Sequence, residues 1–221
     1  MDKTINFEPV LSFLNELSKH NNKPWFDQNR ERYEKAREMF ELFINFLIDE
    51  FRASDDLQDL TAKECISRIY RDIRFSKDKS PYKTNMWATI APGGKKATRM
   101  GYHIALQPQG HSLVAGGMWE PRSEQLVKFR QVINHDASPF KEIIQARSFV
   151  DNFGQIEGEK LKTAPQGYDR THPEIDLLQY KQIAAIHYYT DSQVLSNNFP
   201  DQVISNCRAM RPFLDYLNNL L

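Results

Sequence analysis

The sequence predicts an α+β fold in which a central, mainly antiparallel sheet has helices packed around it. Two observations predict this class. Apolar residues recur at helical spacing at the beginning of the chain and again in its second half, whereas residues 65–119 form short β-prone runs split by turn residues. The close spacing of these runs favours antiparallel hairpins over βαβ crossovers. Because no linker rich in proline, glycine or serine interrupts the chain, we expect a single domain over residues 1–221.

Two helical stretches open the chain. The first is predicted by four apolar residues at helical spacing, Val10, Leu11, Leu14 and Leu17. A longer apolar stripe runs from Phe26 to Phe51 and predicts further helix. Between the two stripes lies Asn21-Asn22-Lys23-Pro24, in which Pro24 occupies a position that the start of a helix tolerates.

The central runs predict strands, and the remainder of the chain is mostly helical. The strand-like runs are CISRIYRDIRF, MWATIA, GYHIALQ and HSLVAGGMW, and IAAIHYY follows later. Helices are predicted in SEQLVKFRQVINHD and SPFKEIIQARSFV, with Ser123 and Ser138 as N-caps. The last helix contains Pro212, which we expect to kink or shorten it.

Composition limits the function classes. Hydrophobic residues make up 40% of the chain and aromatic residues 12%, enough apolar surface for a core. The formal net charge is +0, so no overall charge draws the protein toward nucleic acid or an anionic membrane. No signal peptide or membrane span is evident, and the widely separated Cys65 and Cys207 predict neither a disulfide framework nor a zinc site. We therefore expect a cytoplasmic protein that does not bind membranes.

Positive charge is concentrated in one segment of this neutral chain. Between Ile66 and Arg99 there are nine basic and two acidic residues, a local charge of +7 that the remainder of the chain balances. A strand from Ile66 to Phe75 would place Arg68, Asp72 and Arg74 on one face, with Asp72 orienting the two arginines. A helix is the alternative for this stretch.

Arg71 would then lie among apolar side chains, where it should pair with a carboxylate from elsewhere in the fold. In the following loop, SKDKSPYKTN, Pro81 stiffens the backbone, and we expect Lys79 and the Tyr82 hydroxyl to act as lid groups. Arginine and lysine side chains together suit a phosphate or a carboxylate. The predicted ligand-binding residues are Arg68, Arg71, Asp72, Arg74, Lys79, Tyr82 and Lys83.

Three interpretations of this segment stay open. It binds a phosphorylated or carboxylated small molecule; or it is a nucleic-acid or protein interaction surface; or it is a structural arginine–carboxylate network. The sequence assigns no catalytic residue and leaves open whether the protein is an enzyme. We expect no cofactor and no metal, because the six histidines show no metal-ligand spacing and PGGKK departs from a phosphate-binding loop.

Residues 68–82 also match a recorded pattern. Arg68-x-x-Arg71-Asp72-x-Arg74-Phe75-x-x-x-Lys79-x-Pro81-Tyr82 resembles, at all its fixed positions, the signature RxxRDxRFxxxKxPY of an uncharacterised family, domain of unknown function 2461. Flanking segments resemble the family as well, namely Asn22-Lys23-x-Trp25-Phe26, Gly116-Gly117-Met118-Trp119-x-Pro121 and the stretch from Pro165 to Pro173. The resemblance supports the location of a site and implies no activity, cofactor or partner.

Three further residues are secondary candidates. Asp169 and His172 either cap the following helix, which we favour, or form an acid–base pair over the cationic strand. Trp119 is the third, although an aromatic residue is also typical of a half-buried strand. We interpret Gly116-Gly117 beside it as a bulge or a close approach of two backbones.

Overall fold

The structure is a computed structural model of the chain and describes residues 5–220. It combines helices with a four-stranded sheet whose order is β1-β2-β3-β4, which confirms the α+β prediction. The strands are β1 Met86–Ile90, β2 Tyr102–Leu106, β3 Ser112–Met118 and β4 Ile183–Tyr189. Strands β1 and β2 pair antiparallel, with Ala88 opposite Ile104. Within the described residues, no helix is both long and apolar enough to cross a membrane.

The chain divides into two compact units that alternate along the sequence. Among the described residues, the first unit contains residues 5–98, 102–114 and 188–204, and the second contains residues 99–101, 115–187 and 205–220. Strands β3 and β4 each contribute residues to both units. That the whole chain is one domain stays a prediction from the sequence.

The first unit begins with helices in the two predicted stretches, α1 Glu8–Lys19, α2 Lys23–Gln28 and α3 Arg30–Phe51. A short helix that the sequence did not predict, α4 Ala62–Cys65, follows. The apolar face of α1 is buried, as its periodicity predicts. Asn22 caps α2 by accepting the backbone N–H of Trp25 at 3.0 Å. The core of this unit includes three phenylalanine rings in contact, Phe7, Phe43 and Phe199, with centroids 4.9–5.5 Å apart.

The predicted strand Ile66–Phe75 is wrong. Only isolated bridges form there, between Ile66 and Ala88 and between Tyr70 and Tyr82. Side-chain burial does alternate from Ser67 to Arg74, but Phe75, which a strand would place on the less exposed face, is 95% exposed. Local hydrogen bonds from the charged side chains supply the reason, since they turn the backbone back on itself before a regular ladder forms.

The second unit contains α5 Ser123–His135, α6 Ser138–Gln145, α7 Arg147–Phe153 and α8 Ile175–Leu178. Ser123 and Ser138 are the first residues of their helices rather than N-caps, and the N-H of Ser138 is instead accepted by Asp136. The remaining helices are α9 Asp191–Val194, in the first unit, and α10 Phe199–Asn218, which is divided between the units. Pro212 does not shorten α10, because the helix continues to Asn218 with Phe213 and Leu217 buried; the alternative expectation, a kink at Pro212, stays a prediction.

Gly117 confirms the predicted close approach of two backbones. Its φ of +135° is a conformation that side chains rarely adopt. A Cβ atom at this position would lie 2.2 Å from the carbonyl oxygen of Ile183. Only glycine therefore allows β3 and β4 to pass each other here.

Candidate functional site

The Arg68–Lys83 segment is a loop tied together at its base. The backbone N–H of Arg71 donates to the carbonyl of Pro81 at 2.9 Å, and the N–H of Lys83 donates to that of Ile69 at 2.8 Å. These bonds flank the bridge between Tyr70 and Tyr82. The intervening residues therefore form a closed loop, whereas the sequence predicts a strand to Phe75 followed by a loop.

The start of α2 supports the far end of this loop. The side chain of Asn21 donates to the carbonyl of Tyr82 at 2.9 Å and accepts the N–H of the same residue at 3.0 Å. The Tyr82 ring stacks on Phe26, with centroids 4.0 Å apart and an interplanar angle of 11°. Tyr82 is only 3% exposed, so the lid role predicted for it does not fit its burial. Asn21 and Phe26 hold Tyr82 in place, and they thereby position Lys83, the residue that follows Tyr82 in the chain.

Arg71 holds the loop closed from inside. Its guanidinium pairs with Asp78 and also donates to the carbonyl of Ser80 at 3.2 Å and the hydroxyl of Ser76 at 3.4 Å. The Ser80 hydroxyl, then its N–H, then Arg71 lower the pKa of Asp78 to about 2. The expected carboxylate partner of Arg71 thus comes from the same loop, seven residues along the chain, and not from elsewhere in the fold.

Arg74 and Asp72 form a second local pair. The guanidinium donates to Asp72 through Nε at 3.0 Å and Nη2 at 2.7 Å. These bonds lower the pKa of Asp72, and the charge of Arg68 adds a smaller effect. Asp72 therefore hydrogen-bonds one arginine and not the two expected from a strand. Lys79 donates its ammonium to the carbonyl of Ile73 at 2.9 Å.

One side of the loop borders a cleft of about 390 Å³. We call it the cationic cleft, and it is lined by Asn21, Arg71, Asp78, Ser80, Tyr82, Lys83, Thr84, Asn85 and Trp87. Among the predicted ligand-binding residues, Arg71, Tyr82 and Lys83 line it, whereas Arg68, Asp72, Arg74 and Lys79 do not. The polar lining residues Asn21, Thr84 and Asn85 carried no signal in the sequence, because their approach to one another depends on the fold.

Lys83 is the cation of this cleft that has no carboxylate partner among the described residues. Its ammonium lies 5.4 Å from the centre of the Trp87 ring. Partial burial lowers the pKa of Lys83, and repulsion by Arg68 lowers it further. By contrast, Arg71 in the same cleft is neutralised by Asp78. The cleft thus contains one positive charge that is paired with a carboxylate, on Arg71, and one without such a partner among the described residues, on Lys83.

The side chain of Asn85 adds a buried polar atom to the same wall. Its amide nitrogen donates to Gln107 at 3.2 Å, while its oxygen is buried and has no hydrogen-bond partner. An unpaired buried oxygen costs free energy. The cleft wall is therefore polar at this position.

The secondary candidates belong to the second unit. Asp169 accepts the N–H of Thr171 at 2.8 Å, and Nδ1 of His172 accepts the N–H of Glu174 at 3.0 Å. Both bonds are local turns that precede α8, whose N-cap residue is Glu174 and which has no side-chain cap hydrogen bond, so the expected helix capping by Asp169 and His172 is not observed. Trp119 is 55% exposed.

Cys65 shows no sign of a reactive thiol. Burial raises its pKa to about 12, far from the range of a nucleophile. In residues 5–220, no group of three or more histidine, cysteine, aspartate or glutamate side chains is arranged to hold a metal ion.

Comparison with known proteins identifies the family. Neither a curated protein nor a solved structure matches the chain. The family model described as "Conserved hypothetical protein (DUF2461)" matches residues 9–216, which lie in both units and include the whole of the loop. The chain therefore belongs to the family of conserved hypothetical proteins DUF2461.

Proposed function

We propose that this protein binds a small molecule through its phosphate or carboxylate group, with Lys83 and Arg71 of the cationic cleft as the positive charges. The observation that carries the proposal is the environment of Lys83. Its ammonium is partly desolvated, is repelled by Arg68 and is not paired with a carboxylate among the described residues. An anion beside it would offset both unfavourable effects at once.

The remaining lining residues suit the same ligand. The Ser80 and Thr84 hydroxyls and the Asn21 amide are hydrogen-bonding groups of the kind that oxyanions use. The Trp87 ring supplies an apolar surface for the body of the molecule. A volume of about 390 Å³ falls within the range of small-molecule sites. We therefore propose a phosphorylated or carboxylated metabolite rather than a bare ion, in a cytoplasmic protein.

A thermal-shift series tests the proposal. Inorganic phosphate, sugar phosphates, nucleotides and di- and tricarboxylates are added to the wild type, to Lys83→Met and to Lys96→Met. Lys96 is an exposed lysine of the same unit outside the cleft, so its variant is the matched control. A ligand at 100 times its Kd stabilises a protein by about 2.7 kcal/mol, which corresponds to roughly 5–10 °C for a chain of this length.

We expect the shift in the wild type and the Lys96 variant and its loss in the Lys83 variant. An absence of any shift across the series, or an equal shift in all three proteins, would contradict the proposal.

The alternative interpretation, in which the arginines serve only to support the loop, is favoured by one observation: Arg71 has three partners within the loop. Under this interpretation Arg71→Ala loosens the loop and lowers the melting temperature without ligand, whereas Lys83→Met does not. Measuring both variants without ligand separates support of the loop from binding of an anion.

A further inference from the structure

The tip of the closed loop exposes a large apolar side chain. Phe75 is 95% exposed, the highest exposure among the large hydrophobic residues described. Single exposed apolar residues are common on protein surfaces. A phenylalanine with nearly its whole ring in water, held at the end of a loop, is a different situation because the backbone already fixes its position.

Several hydrogen bonds within the loop hold this tip in place. On one side of Phe75, Arg74 is bound to Asp72 by two side-chain hydrogen bonds. On the other side, Ser76 accepts from Arg71, and the ammonium of Lys79 reaches back to the carbonyl of Ile73. The Arg74 guanidinium lies 5.9 Å from the centre of the Phe75 ring. The ring is thus presented by an ordered backbone with a cation beside it.

The charge around the tip is positive after the ion pairs are taken into account. Residues 68–83 contain six basic and two acidic side chains. Both acidic residues are paired with arginines of the loop, Asp72 with Arg74 and Asp78 with Arg71. Among the described residues, no carboxylate pairs with the four remaining cations: Arg68, Lys77, Lys79 and Lys83. The tip therefore combines an open aromatic ring with an uncompensated positive field.

We propose that this loop binds single-stranded nucleic acid, with a base stacked on Phe75 and neighbouring phosphates on Lys77 and Lys79. An aromatic ring among cations is the arrangement by which proteins bind single strands without reading their sequence. The surface is distinct from the cationic cleft, because neither Phe75 nor the two lysines line that cleft. The proposal therefore does not depend on the small-molecule ligand.

An anionic membrane is the other polyanion that a basic tip with an exposed aromatic ring would attract. The structure favours membrane binding less than binding of a single strand. Membrane attachment requires more apolar surface than one phenylalanine, since even a single myristoyl chain binds only marginally and reversibly. The neighbouring aromatic residue, Tyr70, is half-exposed and lies against Phe26 and Tyr82 of the folded unit. One ring is sufficient to stack a base.

The test measures the fluorescence anisotropy of a labelled twelve-residue oligothymidylate with five proteins: wild type, Phe75→Ala, Phe75→Trp, Phe46→Ala and Lys83→Met. Phe46 is an exposed phenylalanine of α3 in the same unit and serves as the matched control. Thermal melting of each variant checks that it is folded. Vesicles rich in phosphatidylserine are sedimented with the same proteins.

We expect Phe75→Ala to weaken oligonucleotide binding by about 5- to 140-fold, the effect of one stacked base. Phe75→Trp should preserve binding and lose tryptophan fluorescence when the strand is added, and Phe46→Ala should behave as wild type. With two or three phosphate contacts, the affinity of the wild type should fall about 7- to 20-fold between 50 and 200 mM salt.

Three results would overturn the proposal: no oligonucleotide binding by the wild type, equal binding by the wild type and Phe75→Ala, or Phe75-dependent binding to vesicles alone. If Lys83→Met abolishes oligonucleotide binding while Phe75→Ala leaves it intact, the strand occupies the cationic cleft. That result also contradicts the loop proposal, and it leaves the proposed function in place.

Discussion

Asn21 connects α2 to the loop, and replacing it offers a quantitative check of the structure. Its side chain makes two hydrogen bonds to the backbone of Tyr82, a residue 61 positions away in sequence. Both bonds are partly buried. Asn21→Ala leaves the N–H and the carbonyl of Tyr82 without these partners, and each lost bond costs about 1 kcal/mol.

We therefore expect Asn21→Ala to lower the free energy of unfolding by about 2 kcal/mol, because the two losses act on the same strand-like pairing. For a chain of this length, that corresponds to a melting temperature roughly 4–8 °C lower. Asn21→Asp keeps the size of the side chain but replaces the amide donor with an oxygen facing the Tyr82 carbonyl. It should destabilise at least as much as alanine.

The assay is urea denaturation followed by circular dichroism, supported by thermal melting. Asn197→Ala is the control, since Asn197 is an exposed residue of the same unit and its change should stay within about 0.5 kcal/mol. A loss below about 0.5 kcal/mol for Asn21→Ala, or a stable Asn21→Asp protein, would refute the reasoning that these two hydrogen bonds hold the loop.

Three other predictions follow from single positions. Gly117→Ala should cost about 3 kcal/mol or more in chemical denaturation, because its Cβ would overlap the Ile183 carbonyl, whereas Gly110→Ala, with φ +75° and open space, should cost only about 1–2. Lys83→Met should be more stable than the wild type at pH 7. Burial and Arg68 lower the pKa of Lys83 from 10.5, so between its pKa in the folded protein and pH 10.5 the unfolded chain binds more protons than the folded one. The difference in unfolding free energy between Lys83→Met and the wild type should therefore shrink as the pH rises toward 10.5, and a constant difference would contradict this. Finally, the buried thiols of Cys65 and Cys207 should react with iodoacetamide at pH 8 only after unfolding, and labelling of the native protein would disprove it.

The secondary structure was largely predictable from the sequence where the signal is local. The apolar stripe of α1 and the runs that became β1, β2, β3 and β4 lie within a few residues of the observed elements. These patterns depend on neighbours three or four residues apart in a helix and two apart in a strand, so they can be recognised without knowledge of the fold. The concentration of positive charge between Arg68 and Lys83 was equally visible, because it is a property of composition.

The Ile66–Phe75 stretch shows where local reasoning fails. Its alternation of apolar and charged residues is typical of a strand, but Arg74 finds Asp72 two residues away and Arg71 finds Asp78 seven residues away. The pair of Arg74 and Asp72 side chains would also fit a strand, but Arg71 reaches Asp78 only if the backbone turns, and Asp72 also accepts the backbone N–H of Arg74 as in a local turn. These turns replace the ladder that the pattern predicts. Pro212 is the opposite case, in which a local helix breaker is overridden by the buried packing of α10.

The sequence by itself determined the fold class, the position of the cationic segment and the family. Only the tertiary structure decided which of the charges are satisfied. Arg71 and Arg74 are neutralised by carboxylates of their own loop, whereas Lys83 lies unpaired in a cleft that Asn21 helps to form and Phe75 points into water. The reason is physical: composition sets the number of charges, but their pairing and desolvation depend on the path of the backbone through space.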